Sequence, residues 1–322
     1  MLCKRAGAVD VRTAAAVASR AVTPTNQAAS AVGRDLPTFL RATYSASLKS
    51  AVSDEWINTY AIRPLASVLV WVFYRMHWKP VWVVLLGVGV GSAAAAGVAS
   101  GMAPWALPAG GALLLVKNLL DAADGQLARA TDQVDRVGRF ADALADFWVN
   151  SAVALALAVP LSLQFGTPAA VGLALATGFS LVLQCSLFVF YQVSFLARRN
   201  HAAVNRTDER VRAEDANGSR LERRLQRAYL WCYGWQDALM AWIDRRLGAS
   251  VPESRLDDWY GDLLGLRLSS FLGLGTTLTG VGVALLVGRA DLAVLWSVGF
   301  GNAWALIALG YRAFVLAPRL RR

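Results

Sequence analysis

Six aspartates fall in the stretch from Asp121 to Phe147, DAADGQLARATDQVDRVGRFADALADF, and four of them are spaced so that helices gather them. Asp121 and Asp124 stand at i,i+3, and Asp142 and Asp146 at i,i+4. Either spacing puts both carboxylates on one face of an α-helix. Four converging anionic groups repel one another, and only Arg129, Arg136 and Arg139 stand nearby to offset them. A divalent cation relieves that repulsion more fully. Hard carboxylate oxygens with no His or Cys among them suit Mg²⁺ or Mn²⁺, and Mg²⁺ is typically held by a few carboxylates together with a substrate's phosphates. Asp121, Asp124, Asp142 and Asp146 therefore point, as metal ligands, to metal-assisted phosphate chemistry.

The residues between the carboxylates fit the same chemistry. Gly125 follows Asp124 and Ala128 lies about one turn further on, which clears one helix face for a bulky ligand or a neighbouring helix. Arg129 then offers a fork of donors suited to a diphosphate. Gly138 precedes Asp142 by four residues and Asp142 precedes Asp146 by four, so a second helix presents a clear spot and two carboxylates in one line. Two facing helices can share one site.

Asp121, Asp124, Gly125, Ala128, Arg129, Gly138, Asp142 and Asp146 together resemble the signature of the CDP-alcohol phosphatidyltransferases, the class I CDP-alcohol phosphotransferases. That signature reads D-x2-D-G-x2-A-R, a linker of about eight residues, then G-x3-D-x3-D, and every fixed position is filled here, over less than a tenth of the chain. The resemblance implies two divalent ions, held by Asp121, Asp124 and Asp142, that grip the diphosphate of a CDP-linked lipid. It implies that Asp146 completes the metal site or takes the acceptor's proton, and that Gly125, Ala128 and Arg129, with Gly138 facing them, accommodate the nucleotide and its phosphates. The implied reaction moves a phosphatidyl group from a lipid such as CDP-diacylglycerol to an alcohol and releases CMP.

Glycerol 3-phosphate is the first expectation for that alcohol, with inositol phosphate or another alcohol open. Arg136, Arg139, Arg198 and Arg199 are candidates to bind an acceptor phosphate, against the plainer reading that arginines at helix ends snorkel to lipid headgroups. Many members carry Pro-Asn-x2-Thr at the start of the first span; here Pro80, Val81, Trp82, Val83 and Val84 lack those polar partners. Intramembrane Mg-dependent prenyltransferases also use paired aspartate motifs, but in distant parts of the chain. A divalent-cation transporter lines its path with buried carboxylates yet has no use for Arg129 beside them. Both stay open as alternatives.

The elements that must position these residues are membrane helices. The chain has 322 residues, 56% of them hydrophobic and 17% charged, richer in apolar residues and poorer in charge than soluble domains. The run from Pro104 to Leu120 before the aspartates holds one charge, Lys117, and the run from Phe147 to Val159 after them holds none. Apolar runs at roughly 80 to 100, 105 to 127, 139 to 161, 168 to 196, 268 to 288 and 292 to 316 each reach the length of a span. The expected fold is an all-α polytopic bundle of six transmembrane helices preceded by an interfacial juxtamembrane helix.

Residues 1–55, rich in Ala, Ser and Thr, read as a mostly disordered cytoplasmic tail, with an organelle transit peptide or a misassigned start as alternatives. The segment 56–78 is apolar and aromatic, interrupted by Arg63 and Pro64 and closed by Arg75, His77 and Lys79, and reads as a surface helix with His77 at the interface. Residues 79–197 hold spans one to four with the motif 121–146, and 265–322 hold spans five and six and a basic tail. Between them, 198–264 is a cytoplasmic insertion. Its first part, Arg199 to Asn217, is polar and reads as mobile. Leu221, Leu225, Tyr229, Cys232, Trp235, Leu239 and Trp242 then repeat on one helical face, to lie on the membrane or, less simply, to lid the site.

Lys and Arg concentrate in the first 63 residues, in 198–262 and after Arg312, all on one side of a six-span chain. The positive-inside rule makes that side, with both termini and the aspartates, cytoplasmic in a cell membrane. The net charge of +10 is spread along membrane boundaries, which fits anionic lipid headgroups and not nucleic acid. Cys3, Cys185 and Cys232 follow no metal or redox spacing and read as packing residues. Gly87 with Gly91, and the glycines from Gly273 to Gly282, allow close helix approach within the bundle; the resemblance also implies a homodimer.

Overall fold

The computed structural model describes residues 36–47, 53–101, 103–199 and 219–321, so the expected tail up to residue 35, with Cys3, and the polar stretch 200–217 lie outside the described residues. The described residues form helices and no strand. Helices α1 (Leu36–Ser47) and α2 (Arg63–Arg75) come first. Four helices long and apolar enough to cross a membrane follow: α3 (Pro80–Ser100), α4 (Ala106–Ala130), α5 (Arg136–Phe165) and α6 (Thr167–Arg199). After α7 (Arg220–Leu247) and the short α8 (Leu256–Gly261), α9 (Leu263–Leu286) and α10 (Ala290–Leu320) complete the six. The chain is a multi-pass membrane protein with the all-α bundle its sequence predicts.

Local chemistry sets where these helices begin and end. Pro80 opens α3 and Gly101 closes it at φ +51°, a left-handed backbone where an added Cβ would also come within 2.9 Å of Val159. Asp135 caps α5, its Oδ1 accepting from the Gly138 amide at 2.6 Å. Ser219 caps α7 by accepting from the Glu222 amide at 3.0 Å.

The bundle closes where side chains are smallest. A Cβ on Gly111 of α4 would lie 2.4 Å from the Leu286 amide nitrogen and 2.6 Å from the Gly282 carbonyl oxygen, so α4 and α9 meet backbone to backbone. This is the within-bundle use expected of the glycines on the fifth span. On the outside, Trp82, Leu85, Leu163, Leu175, Phe179, Leu306 and Phe314 are exposed, as side chains that face lipid tails are.

Two segments differ from what the sequence predicts. Inside the expected tail, α1 is ordered on α2 and α4: Phe39, Thr43 and Ser47, four residues apart, are buried, and Phe39 lies 5.5 Å from Tyr74. Two of those three contacts come from Thr and Ser, so the face carries little hydrophobic signal. Pro64 does not interrupt the next helix, because a π-helical turn (Asn58–Ile62) leads straight into α2 with the proline in its first turn. Arg63 at that junction is held by Asp54, with nitrogen to oxygen at 2.7 Å.

On α7 the apolar stripe is divided between the surface and the interior. Cys232 is buried as expected, but Leu221, Trp235 and Trp242 are exposed, and Gln226, Gln236, Met240 and Asp244 turn inward instead. The inner polar groups are bonded: Ser186 to Gln236, and Asp244 to Trp259 Nε1 and Tyr260 OH at 2.9 and 2.6 Å. Beside lipid an exposed tryptophan carries little penalty whereas an unbonded amide does, so polar partners decide which side packs.

The segment before α2 is fastened into the bundle by hydrogen bonds to a buried carboxyl group. The helical turn opening at Leu274 has Gly273 as its N-cap and so no capping side chain of its own. Glu55 supplies one from elsewhere in the chain, its Oε2 accepting from Thr276 N at 2.8 Å and from Thr276 Oγ1 at 3.1 Å. Gly273 is required for this approach, since its Cβ would fall 2.0 Å from the Glu55 carboxyl carbon.

Candidate active site

The α4–α5 connection makes the site. The chain reverses between Ala130 and Arg136, with Asp132 at φ +55°, a conformation Asp tolerates better than most residues. The end of α4 and the start of α5 are thereby brought side by side, each carrying one half of the aspartate motif.

Across that junction Asp121, Asp142 and Asp146 place carboxylate oxygens all within 4.8 Å of one another. Asp124, almost completely buried, stands one turn along α4 and outside this group of three. It instead lines, with Asp142, a cavity of about 690 Å³ whose wall also includes Gly125, Ala128, Arg129 and Gly138. All eight residues singled out in the sequence thus border one locus, six on the cavity and the remaining two, Asp121 and Asp146, in the carboxylate group. The donor set is hard oxygen throughout, which suits Mg²⁺ or Mn²⁺ and disfavours softer ions.

Each non-acidic member has a visible local part. An ideal Cβ on Gly125 would meet an Arg129 terminal nitrogen at 3.5 Å, an ordinary contact, so the guanidinium one turn on packs beside the glycine. The Nε of Arg129, a residue of the cavity wall, is buried without a hydrogen-bond partner. Gly138 lies in the cavity wall, but its amide already donates to Asp135, so what it contributes is clearance and not a donor. Pro80, Val81 and Val84 form an apolar side of the cavity, with Lys79 and Gln133 as polar neighbours.

Of the four arginines considered for an acceptor phosphate, only Arg139 lines the cavity. Arg136 is paired with Glu222 at 2.8 Å, Arg198 with Asp257 at 2.8 Å, and Arg199 stacks over Phe195. Helix α7 does not line the cavity. It braces α5 from another side, with Tyr233 OH donating to the Ala143 carbonyl at 2.9 Å and Tyr229 lying 5.4 Å from Phe140. Of the cysteines, Cys232 is buried and Cys185 partly so, both as free thiols.

Two residues at the site escaped the sequence reading. Lys117 Nζ donates to Asp121 Oδ1 at 3.2 Å and, more closely, to Asp146 Oδ1, with the lysine side chain only 3% exposed. A lone lysine in an apolar run, four residues before the first aspartate, was the available signal. Asn118 donates to the Gly275 carbonyl at 3.0 Å and to Thr279 Oγ1 at 3.1 Å, tying α4 to α9 beside the site; no spacing in the sequence marks it.

The site thus joins converging carboxylates, a buried arginine and an adjoining cavity within a membrane bundle. The family model for CDP-alcohol phosphatidyltransferases matches residues 65–242, more than half of the chain, and the protein belongs to that family. The match runs from α2 through most of α7 and leaves α9 and α10 outside it. The family's members are transferases that act with a CDP-alcohol donor, an alcohol acceptor and divalent cations. No curated protein matches this chain.

Proposed function

We propose that the protein transfers a phosphatidyl group from a CDP-linked lipid, CDP-diacylglycerol in the first instance, to the hydroxyl of an alcohol, releasing CMP in phospholipid biosynthesis. The observation that carries this reading is the convergence of Asp121, Asp142 and Asp146 beside a cavity lined by Asp124, Gly125, Ala128 and Arg129.

In this reading the four aspartates hold Mg²⁺ or Mn²⁺, which when bound offsets the charge of the donor's diphosphate and of the departing CMP. Arg129 donates to the diphosphate from its orphaned Nε and fork, and Gly125 and Ala128 let the nucleotide approach the α4 backbone. The acceptor oxygen bonds to the lipid-side phosphorus as the phosphoanhydride bond to CMP breaks. Asp146 receives the acceptor's proton through Oδ2, since its Oδ1 is taken by Lys117. Arg139, in the cavity wall, is placed for a phosphate on the acceptor, which favours glycerol 3-phosphate or inositol phosphate over an uncharged alcohol. The Lys- and Arg-rich helix ends on this side support a cytoplasmic site.

A panel of acceptors tests the reading. Purified protein with Mg²⁺ and CDP-diacylglycerol is expected to release CMP with glycerol 3-phosphate or another phosphorylated alcohol, and Arg139→Leu to raise the acceptor KM about tenfold or more while leaving donor binding intact. Allylic diphosphate turnover, or metal flux without CMP, would favour the prenyltransferase or transporter reading instead.

A further inference from the structure

The lysine inside the carboxylate group is not part of the motif that defines the family resemblance, and it occupies a place where a cation would otherwise sit. Its ammonium bridges Asp121 and Asp146, one residue from each half of the site. Almost nothing of it reaches solvent, at 3% exposure. Its stem is also held: an ideal Cβ on Gly91 of α3 would stand 3.2 Å from Lys117 Cγ and 2.5 Å from Val149, so the side chain runs through a slot that exists because residue 91 is glycine. A lysine on a flank of the bundle would snorkel outward to the headgroups, whereas this one is walled in by α3 and α5 and points at the acids.

We infer that the Lys117 ammonium permanently fills the cation position between Asp121 and Asp146, so that this chain holds one divalent ion where the family resemblance implies two. The inference rests on the metal-dependent reading proposed above and concerns only the number of ions. A divalent ion shared by Asp121 and Asp146 would need their oxygens at about 2.0–2.1 Å, and the ammonium already draws on an oxygen of each. Two cations cannot share that gap without strong repulsion in a setting poor in water. Asp124 and Asp142, which line the cavity together, and the second carboxylate oxygen of Asp121 leave a set for a single ion, while Asp146 stays bound to the lysine. Lys117 is here a positioning residue: it fixes the two carboxylates and offsets part of their charge without touching substrate.

Manganese serves as the probe. The full-length protein, purified in detergent, is titrated with Mn²⁺, and bound ions are counted by equilibrium dialysis and by electron paramagnetic resonance. The expected count is one Mn²⁺ per chain, with the spectrum of an isolated ion. Lys117→Met, which keeps the stem and removes the charge, is expected to bind two with the exchange-coupled spectrum of a close pair, and Lys117→Arg to stay at one. Two coupled ions in the unaltered protein, or a single ion in a folded Lys117→Met variant, would overturn the inference while leaving the metal-dependent reading intact. No bound ion in any of the three would overturn both. Should Lys117→Met fail to fold, the count in the unaltered protein still decides.

Discussion

Two regions of this molecule bury charge among membrane helices, and they do so in opposite ways. At the α4–α5 junction four carboxylates are set against Lys117 and Arg129, with a cavity opening beside them and an arginine Nε left without a partner. The second region lies where α6, α8 and α10 meet the end of α7. Arg312, fully buried, donates to the Trp259 carbonyl at 3.0 Å, and its guanidinium carbon lies 3.4 Å above the Tyr191 ring and 5.4 Å from that of Trp259. Asp244 takes hydrogen bonds from Trp259 and Tyr260, and Asp262 takes one from Tyr311 at 3.0 Å. There the charges are of both signs and wrapped in aromatic rings; Arg312 Nε and Nη2 also lack a hydrogen-bond partner, so it is the mix of charge and not the orphaned donors that sets the two regions apart.

The difference separates two uses of a costly feature. Burying a charge in a membrane protein marks it as important, but it does not say for what. Charges of both signs held among aromatic rings are what a structural clamp needs, and Arg312 joins two spans to the insertion. An excess of one sign facing open space is what a site for a cationic or phosphate-bearing ligand needs.

That contrast can be broken by substitution. Neutralising Asp142 removes a like charge from its neighbours and a ligand from the proposed metal set. Asp142→Asn is expected to cut transfer more than about 100-fold while stability without metal holds or rises by about 1 kcal/mol, read by thermal unfolding in detergent. Arg312→Leu is expected to do the reverse. Loss of the guanidinium leaves the buried Trp259 carbonyl unpaired, at a cost of about 1–3 kcal/mol, so the unfolding midpoint falls while the turnover of the protein still folded is preserved. If both variants lost stability alike, the distinction would fail.

Glu55 offers a test with pH as the variable. Burial pushes its carboxyl up to about 7 from the ordinary 4.5, against the hydrogen bonds from Thr276 that pull it down. The folded protein thus keeps a proton that the unfolded chain releases, and the stability this confers is full below about pH 4.5 and lost as the pH climbs through 7. The loss amounts to about 3 kcal/mol at most, and Glu55→Gln, which is always neutral, is expected to flatten it in melting curves taken across that range. The smallest effect is expected at the Arg136–Glu222 pair, where both side chains are partly exposed, at 23% and 18%. Glu222→Gln should cost about 0.5–1 kcal/mol in the same assay and leave transfer unchanged.

How much of this the sequence shows depends on the kind of force involved. The spans are legible because lipid demands long apolar runs, and the eight site positions because a motif with fixed helical spacings puts them on facing turns. What stayed hidden is set by contacts between distant parts of the chain. Glu55 reads as one acid in a tail until Gly273 leaves a helix start uncapped beside it. The inward face of α7 is not marked in the sequence, because the apolar stripe can turn to lipid while Gln236 and Asp244 must turn to the bundle to be bonded. Lys117 was visible as a charge, but its partners lie on two helices, one of them 29 residues away.

The central claim is that the carboxylates shared by α4 and α5 carry phosphatidyl transfer. The most direct test reconstitutes the purified protein in liposomes containing CDP-diacylglycerol, adds Mg²⁺ and a phosphorylated alcohol, and follows CMP and the new phospholipid together by mass spectrometry. The expected result is equimolar appearance of both products, dependent on Mg²⁺ and the alcohol and abolished in Asp142→Asn. CMP and phospholipid formed by Asp142→Asn at the rate of the unaltered protein would contradict the account.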